Sequence, residues 1–261
     1  MYHHISPLKG DMITVTPEVF EAQLRHVASG YRAITLDEAV DFISGGFNPP
    51  EKCVVLTFDD CYLDNYVHAW PLLKKYGIKA AIFTVTSWAD KASLAPPGAV
   101  SAAMDECRRN PVAHAASKAI AGAGEYHRVA ASWDMIKEMR SGNLVDFYSH
   151  TATHRSCDVL TQDELGFELG SSRAALEREL GTSCKYLCWP KGRYTEAAVK
   201  AAQGAGYSAL FTTRHGVIKP GDDLLSIKRV VVKDDADWLK LRLRIYCSPL
   251  LSGLYLKVKK R

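Results

Sequence analysis

Short apolar segments alternate with helix-length segments along most of this chain. The segment 52–58 is apolar and rich in β-branched residues, stops at Asp59-Asp60, and precedes a helical pattern that ends at Gly77. Strand patterns recur at 79–85, 144–148, 186–189 and 209–213, and helical patterns at 162–180 and 195–205. Buried strands alternating with helices predict βα units around a parallel sheet. The length of 261 residues favours a closed α/β barrel over an open sheet.

The ends of the chain and one internal region modify this pattern. Thr16-Pro17 predicts the start of a helix, and 33–36 reads as a strand. Residues ~88–131 are rich in Ala and Gly, which predicts a helical insertion. We therefore expect one barrel domain over 1–236, followed by a basic amphipathic tail over 237–261. The tail fits either an anionic membrane surface or an ordinary barrel-closing helix.

Composition restricts the class of protein and its compartment. The formal charge of +4 is too small to indicate a nucleic-acid partner. Seven cysteines without CxxC spacing suit a reducing compartment. The sequence has no signal-peptide pattern at its start and no apolar run near 18 residues. These features predict a cytoplasmic protein, peripheral at the inner membrane face if the tail binds lipid.

Two adjacent carboxylates, Asp59 and Asp60, directly follow a buried strand. In a parallel α/β barrel this is the rim on which active sites are built. Adjacent residues leaving a strand point in different directions, so that one can bind a metal while the other faces a substrate. The simpler alternative is an aspartate that caps the next helix.

A second cluster, 149–154, also follows a strand and contains His150 and His154. Histidines at i and i+4 share one face of a helical turn, a spacing that can chelate zinc. In the HExxH motif a glutamate base follows the first histidine, but here Thr151 stands there, so a base must come from elsewhere. Together with Asp60, the two histidines predict a three-ligand metal site open to water. By itself, the pair fits a structural role equally well.

Three spaced motifs in this chain resemble those of the NodB-type polysaccharide deacetylases, carbohydrate esterase family four. They are Thr57-Phe58-Asp59-Asp60, the string 150–154, and 188–192 with its Pro190-Lys191-Gly192 segment. The resemblance implies a distorted (β/α)7 barrel that removes N-acetyl groups from amino sugars. It implies Asp59 as catalytic base, a divalent metal on Asp60, His150 and His154, and a substrate groove walled by Trp189, Pro190, Lys191 and Gly192. We expect zinc, with cobalt or nickel as alternatives, and an oxyanion held by a backbone N–H of the 190–192 loop.

The chain departs from the family pattern at three points. Cys61 stands where the family usually has glycine, and Cys188 stands where it has the arginine that orients the base. The final Leu-x-x-His motif, which provides the general acid, is missing. The start of the chain, however, resembles the branch that deacetylates poly-β-1,6-linked N-acetylglucosamine, in which the acid histidine is N-terminal. This implies His3 as acid, with His4 less favoured, and Arg229 as replacement for the missing arginine.

The residues and the resemblance together predict a metal-dependent carbohydrate N-deacetylase. Its substrate would be a polysaccharide or a lipid-linked glycan precursor in the synthesis of cell-surface polysaccharide. One alternative is a hydrolase of another C–N bond, such as a formamide or an imide, on the same barrel. Another is a non-catalytic sugar-binding relative, which the substitutions at Cys61 and Cys188 suggest.

Overall fold

A computed structural model describes residues 1–8 and 12–248 of the chain. The strands within these ranges are β1 (His4–Ile5), β2 (Thr14–Val15), β3 (Arg32–Ala33), β4 (Cys53–Val54), β5 (Leu56–Asp60), β6 (Ala80–Thr84), β7 (Val145–Ser149), β8 (Tyr186–Cys188), β9 (Ala209–His215) and β10 (Ile227–Arg229). The α-helices are α1 (Pro17–Gly30), α2 (Leu36–Ser44), α3 (Trp70–Tyr76), α4 (Thr86–Ala92), α5 (Ala99–Arg109), α6 (His114–Gly122), α7 (Trp133–Ser141), α8 (Gln162–Leu180), α9 (Glu196–Gly204) and α10 (Ala236–Tyr246). A π-helical turn (Asn65–Ala69) precedes α3, and 3-10 turns cover Tyr126–Arg128, Pro190–Gly192 and Leu224–Ser226.

The main sheet is parallel, with the strand order β10-β9-β8-β7-β6-β5. The segment Met1–Tyr2 lies between its two edges. Tyr2 pairs with β5, donating its N–H to the Thr57 carbonyl at 2.8 Å. On the other side, the Met1 carbonyl accepts from the Val232 N–H at 3.1 Å, and the Met1 nitrogen donates to the Val230 carbonyl at 2.8 Å. Met1–Tyr2 therefore takes the place of a seventh strand between the two edges and closes the sheet. This confirms the predicted distorted (β/α)7 barrel.

Strand register decides which side chains face the inside of the barrel. Asp59 pairs with Phe83, and Phe83 with Tyr148. Phe83, Tyr148 and Phe211 belong to one buried aromatic cluster, distinct from the larger core formed by alternate strand residues and the helices. Because side chains in register share a face of the sheet, Asp59 points to the same side as this inner cluster.

Local signals explain most helix boundaries. Thr161 caps α8 in a reciprocal capping box with Glu164, and Gly77 ends α3 with φ of 62°. The predicted strand at 33–36 was wrong at its end, because only Arg32–Ala33 pairs. Thr35 there forms a second capping box with Glu38 and starts α2, a helix that the pattern of strands did not predict.

Between β6 and α7 the chain forms α4, α5, α6 and a 3-10 turn, over the span expected to be a helical insertion. The first part of the predicted tail forms α10, with Leu239 buried in the main core. Residues 249–261 of that tail lie outside the described residues. Within the described part of the chain, no helix has the length and apolarity needed to cross a membrane.

Candidate active site

Asp59 and Asp60 end β5 at the edge that carries the site, and both side chains are buried. The chain turns sharply there, since Asp60 and Cys61 adopt φ of 75° and 59°. Such left-handed backbone favours glycine. Cys61 nevertheless adopts this left-handed conformation, at the position where the resemblance implies a glycine. The turn directs consecutive carboxylates to different partners.

Asp60, His150 and His154 come together as the sequence predicted from two strand ends. The Asp60 Oδ1 atom lies 3.4 Å from His150 Nε2 and 3.2 Å from His154 Nε2. The expected helical turn under the two histidines was wrong. Residues 150–155 form an irregular loop in which Thr151 and His154 have φ of 66° and 64°. This backbone, and not the periodicity of a helix, brings the imidazoles together.

The loop is held by α8. Glu168 is buried on that helix and accepts hydrogen bonds from both the N–H and the hydroxyl of Thr153. Its carbonyl also accepts from the Ala152 N–H at 3.0 Å. Contacts with α8 thus offset the strain of two non-glycine residues in the left-handed region.

The three groups fit a divalent metal. Ligands about 2.0–2.1 Å from zinc in a tetrahedron stand about 3.3 Å apart, close to the two distances from Asp60. The Asp60 Oδ1 atom is buried and has no hydrogen-bond donor among the described residues, which is costly for a carboxylate unless a cation binds it. One carboxylate and two imidazoles suit zinc, cobalt or nickel better than calcium or magnesium.

Hydrogen bonding and burial prepare His150 as a metal ligand. His150 donates from Nδ1 to the Cys188 carbonyl at 2.7 Å, which leaves Nε2 directed at Asp60. Burial lowers the pKa of His150 to about 4, so that it is neutral and able to bind a metal at neutral pH. Burial raises the pKa of Asp60, but the nearby His154 and His150 outweigh it and hold this pKa well below its usual value, so the carboxylate is ionised.

Asp59 is held by Arg229. The guanidinium donates from Nη1 and Nη2 to the two carboxylate oxygens at 2.6 and 2.8 Å, and from Nε to the Thr212 carbonyl at 3.0 Å. Burial raises the pKa of Asp59, but the Arg229 charge and hydrogen bonds outweigh it, and the pKa lies well below its usual value. Asp59 is therefore ionised and fixed in orientation.

Cys188 completes this contact at the position where the family has its arginine. Its sulfur accepts from Arg229 Nη2 at 2.9 Å and lies 3.7 Å from Asp59 Oδ2. Burial raises the pKa of the thiol well above its usual value, so Cys188 is uncharged. β10 thus supplies the guanidinium that contacts the base, while position 188 carries a thiol in contact with it.

The two histidines near the start of the chain, His3 and His4, have different neighbours. His3 Nε2 lies 3.8 Å from Asp59 Oδ2, with a side chain that is 17% exposed. Burial lowers the pKa of His3, against the raising effect of Asp59 and Asp60. His4 points elsewhere: its Nδ1 lies 2.5 Å from Asp64 Oδ2, and its ring stacks on Tyr62. The geometry places His3, and not His4, beside Asp59.

The 188–192 segment fits the groove prediction only in part. Trp189 is fully buried and stacks on Tyr194, so its ring does not line a groove as predicted. Pro190 is also buried and has no N–H, and the Gly192 N–H donates to the Trp189 carbonyl at 2.9 Å. Lys191 is exposed. Burial lowers the pKa of His154, but Asp60 outweighs it and raises this pKa, and the charge of Lys191 opposes the rise.

Of the backbone N–H groups in the 190–192 loop, only that of Lys191 is left for the predicted contact with the oxyanion. This contact stays a prediction. Gly192 has a packing reason of its own. A Cβ at this position would lie 2.0 Å from Thr213 Oγ1, and its φ is 66°.

Sequence reasoning missed several residues that surround the site. Trp88, on α4, is half-buried, with its ring centroid 5.5 Å from that of His154 and 6.0 Å from that of Tyr62. Tyr62 is buried two residues after Asp60, and a search for aromatic residues near the motifs could have found it. Trp88 lay inside the predicted insertion, where no sequence signal connected it to the motifs.

The parallel barrel thus carries, at one edge, a carboxylate–dihistidine cluster that could hold a divalent metal and a second carboxylate held by an arginine. The family model for polysaccharide deacetylase matches residues 47–210, and the chain belongs to this family. It is 30% identical over 233 residues to the putative polysaccharide deacetylase YxkH of Bacillus subtilis, covering 89% of this chain and 70% of that protein. It is 24% identical over 236 residues to the poly-β-1,6-N-acetyl-D-glucosamine N-deacetylase of Staphylococcus epidermidis, covering 85% of this chain and 69% of that protein.

Solved structures share the fold. The Streptococcus pyogenes deacetylase PplD, in complex with acetate, superposes with a TM-score of 0.75 at 23% identity, over 95% of this chain and 96% of that one. IcaB from Ammonifex degensii superposes with a TM-score of 0.72 at 24% identity, over 95% of each chain.

Proposed function

We propose that this protein is a metal-dependent hydrolase that removes N-acetyl groups from amino sugars of a glycan. The observation that carries the proposal is the convergence of three groups of residues at one edge of the barrel. The metal-binding set is Asp60, His150 and His154; the base is Asp59 with its Arg229; and His3 stands opposite the base. Each of the three has a separate role in amide hydrolysis.

A divalent metal held by Asp60, His150 and His154 would polarise the amide carbonyl and lower the pKa of a nearby water. Asp59 accepts a proton from the water as its oxygen bonds to the carbonyl carbon. Arg229 keeps Asp59 ionised and aimed, because two of its N–H groups occupy the carboxylate in one fixed orientation.

His3 acts at the other side of the scissile bond. An amine leaves poorly as an anion, so the nitrogen must receive a proton as the C–N bond breaks, giving acetate and the free amine. The lowered pKa of His3 makes its imidazolium a stronger proton donor once formed. The distance of 3.8 Å between His3 and Asp59 allows both to reach one amide group.

An N-acetylated amino sugar of a polymer or a lipid-linked precursor is the substrate that we propose. The support is the set of poly-β-1,6-N-acetyl-D-glucosamine N-deacetylases among the relatives, at 23–25% identity. Trp88 offers a partly exposed aromatic face beside His154, and aromatic faces pack well on the apolar faces of sugar rings. Lys191 adds an exposed cation at the same edge.

Two experiments separate this proposal from its alternatives. Release of formate instead of acetate from matched N-formyl and N-acetyl hexosamines would favour a different C–N hydrolase. A sugar-binding protein without activity would bind chitooligosaccharide or β-1,6-linked oligomers equally well after chelation and would yield no amine. The Arg229–Asp59 pair supports catalysis, since a passive sugar site has no need of a buried, oriented carboxylate.

The decisive test is metal content together with amine release. Purified protein should contain about one equivalent of zinc, cobalt or nickel, and it should release acetate from β-1,6-linked N-acetylglucosamine oligomers. Asp60→Ala should lose both. Absence of metal after reconstitution, with no amine formed, would refute the proposal.

A further inference from the structure

The loop that follows the two aspartates also holds the backbone of His3. Asn65 is buried and donates from Nδ2 to the His3 carbonyl at 2.7 Å and to Asp64 Oδ1 at 2.8 Å. Both partners are acceptors, which fixes the orientation of the Asn65 amide. Asn65 opens the π-helical turn Asn65–Ala69, a distortion that often marks functional sites.

Asp64 holds the two residues after His3. Its Oδ1 accepts from the Ile5 N–H at 3.3 Å, and its Oδ2 lies 2.5 Å from His4 Nδ1. Asp64 and Asn65 together contact three consecutive residues, 3 to 5, from a single loop. A strand of two residues, His4–Ile5, has little pairing of its own to fix its position.

The inserted helices reach the same network. His4 Nε2 lies 3.1 Å from His114 Nδ1, at the first residue of α6. If Asp64 accepts the His4 Nδ1 proton, the bare Nε2 of a neutral His4 accepts from His114 Nδ1–H. The hydrogen bonds then run in one direction, from His114 through His4 to Asp64.

We infer that Asp64 and Asn65 are positioning residues for His3, which couple the general acid to the strand that carries the general base. This inference rests on the proposed function, in which His3 protonates the leaving amine. Asp59 and Asn65 lie on one short stretch of chain, so a single loop sets both the base and the acid. A displacement of about 1 Å at a reacting group can cost roughly 100-fold in rate, so the support of this backbone bears directly on turnover.

The test compares two substrates that differ in their need for an acid. Cleavage of an N-acetylhexosamine oligomer needs a proton at nitrogen, whereas 4-nitrophenyl acetate has a leaving group that departs unprotonated. Asn65→Ala should lower kcat for the amide by about tenfold or more and leave ester hydrolysis within about twofold. His3→Ala should show the same selectivity. The double variant Asn65→Ala/His3→Ala should lose no more amide activity than His3→Ala alone.

Asn65→Ser serves as the second variant if Asn65→Ala folds poorly, because serine is too short to reach the His3 carbonyl yet stays polar. Thr35→Ala, which breaks the capping box of α2, is the control for general destabilisation. Equal losses on amide and ester, or no loss on either, would overturn the inference. Wild-type protein that cleaves the ester but no amide at all would refute the proposed function instead.

Discussion

Arg229 and Asp59 are 170 positions apart in the chain and meet in a buried, two-pronged ion pair with N–O distances of 2.6 and 2.8 Å. The arginine comes from the last strand of the barrel and the aspartate from β5. The relationship decides how the base is presented, because a carboxylate bound on both oxygens can accept a proton in few directions only. The free energy of unfolding should also be sensitive to loss of either partner, because the other would remain as a buried charge.

Asp59→Asn should keep the metal and lose turnover. The amide has nearly the shape of the carboxylate but cannot accept the proton of water, and general-base catalysis contributes about 10²–10⁴-fold. We expect acetate release from N-acetylglucosamine oligomers to fall by that range, with metal content by elemental analysis unchanged. A rate near that of wild type would contradict Asp59 as the base.

His154→Ala should lose both metal and activity. Removing one of three ligands leaves a carboxylate and one imidazole, too few for a stable catalytic zinc site. The matched control is His215→Ala, a histidine whose Nε2 lies 2.7 Å from the Tyr246 hydroxyl and which is not in the proposed ligand set. The control should bind about one equivalent of metal, as wild type does. Retention of full metal by His154→Ala would refute the assigned ligand set.

Arg229→Met should destabilise the fold by about 3–5 kcal/mol at pH 7 in metal-depleted protein, because it removes the two-pronged partner of the buried Asp59 charge. In wild type the pKa of Asp59 is lowered, so its contribution to stability is present above the unfolded pKa near 4 and is lost as the pH falls. In the variant the lowering effect of Arg229 is lost and burial, the largest cause, raises this pKa, so acidification relieves the cost.

The difference between wild type and Arg229→Met should therefore shrink from pH 7 to pH 5 in urea unfolding. Arg193→Met is the control, since Arg193 pairs with Asp158 at the exposed surface, where an ion pair contributes little. A difference that stays constant with pH would argue against an ionised, arginine-dependent Asp59.

Trp88→Ala should raise KM for amino-sugar oligomers by roughly tenfold with a smaller change in kcat, because the ring lies beside His154 and, in the proposed function, packs on the sugar without taking part in proton transfer. Trp88→Phe should retain most of the affinity. Trp238→Ala, at a half-buried tryptophan of α10, should leave KM unchanged. A fall in kcat alone would assign Trp88 to the chemistry and not to binding.

Attachment to an anionic membrane through 237–261, on the inner face, stays a prediction. If it holds, the full-length protein should sediment with vesicles containing anionic lipid, and deletion of 249–261 should abolish sedimentation. Salt should weaken the binding, because the basic residues of the tail act through charge. A full-length chain that stays in the supernatant would end this hypothesis.

The barrel and the convergence of Asp60 with His150 and His154 were within reach of the sequence, because parallel strands end at one rim and their apolar segments are easily found. The conformation of 150–154 was not. Its left-handed residues depend on Glu168, which reaches Thr153 from a helix fifteen residues further on. A short-range pattern such as i, i+4 has no information about that contact.

The network under His3 was also beyond sequence reasoning. Asp64 and Asn65 look like ordinary polar residues at the start of a helix. Their partners are residues 3 to 5, whose position depends on closure of the whole barrel. Arg229 was reached only through resemblance, since no spacing rule relates it to Asp59.

The Met1–Tyr2 segment contacts Val230, which lies 229 positions further along the chain. Contacts of such sequence separation form late in folding, because the entropy of a long loop must be lost before they contribute. The contacts of Met1–Tyr2 with the two edges of the sheet bring His3 and Arg229 to Asp59. The strand that ends at Asp60 and the strand that precedes His150 are joined through β6 alone. A chain that has collapsed but not closed would thus be able to take up metal while lacking its acid and the partner of its base. Metal uptake would then precede activity during refolding, and the delay between the two would time the closure of the barrel.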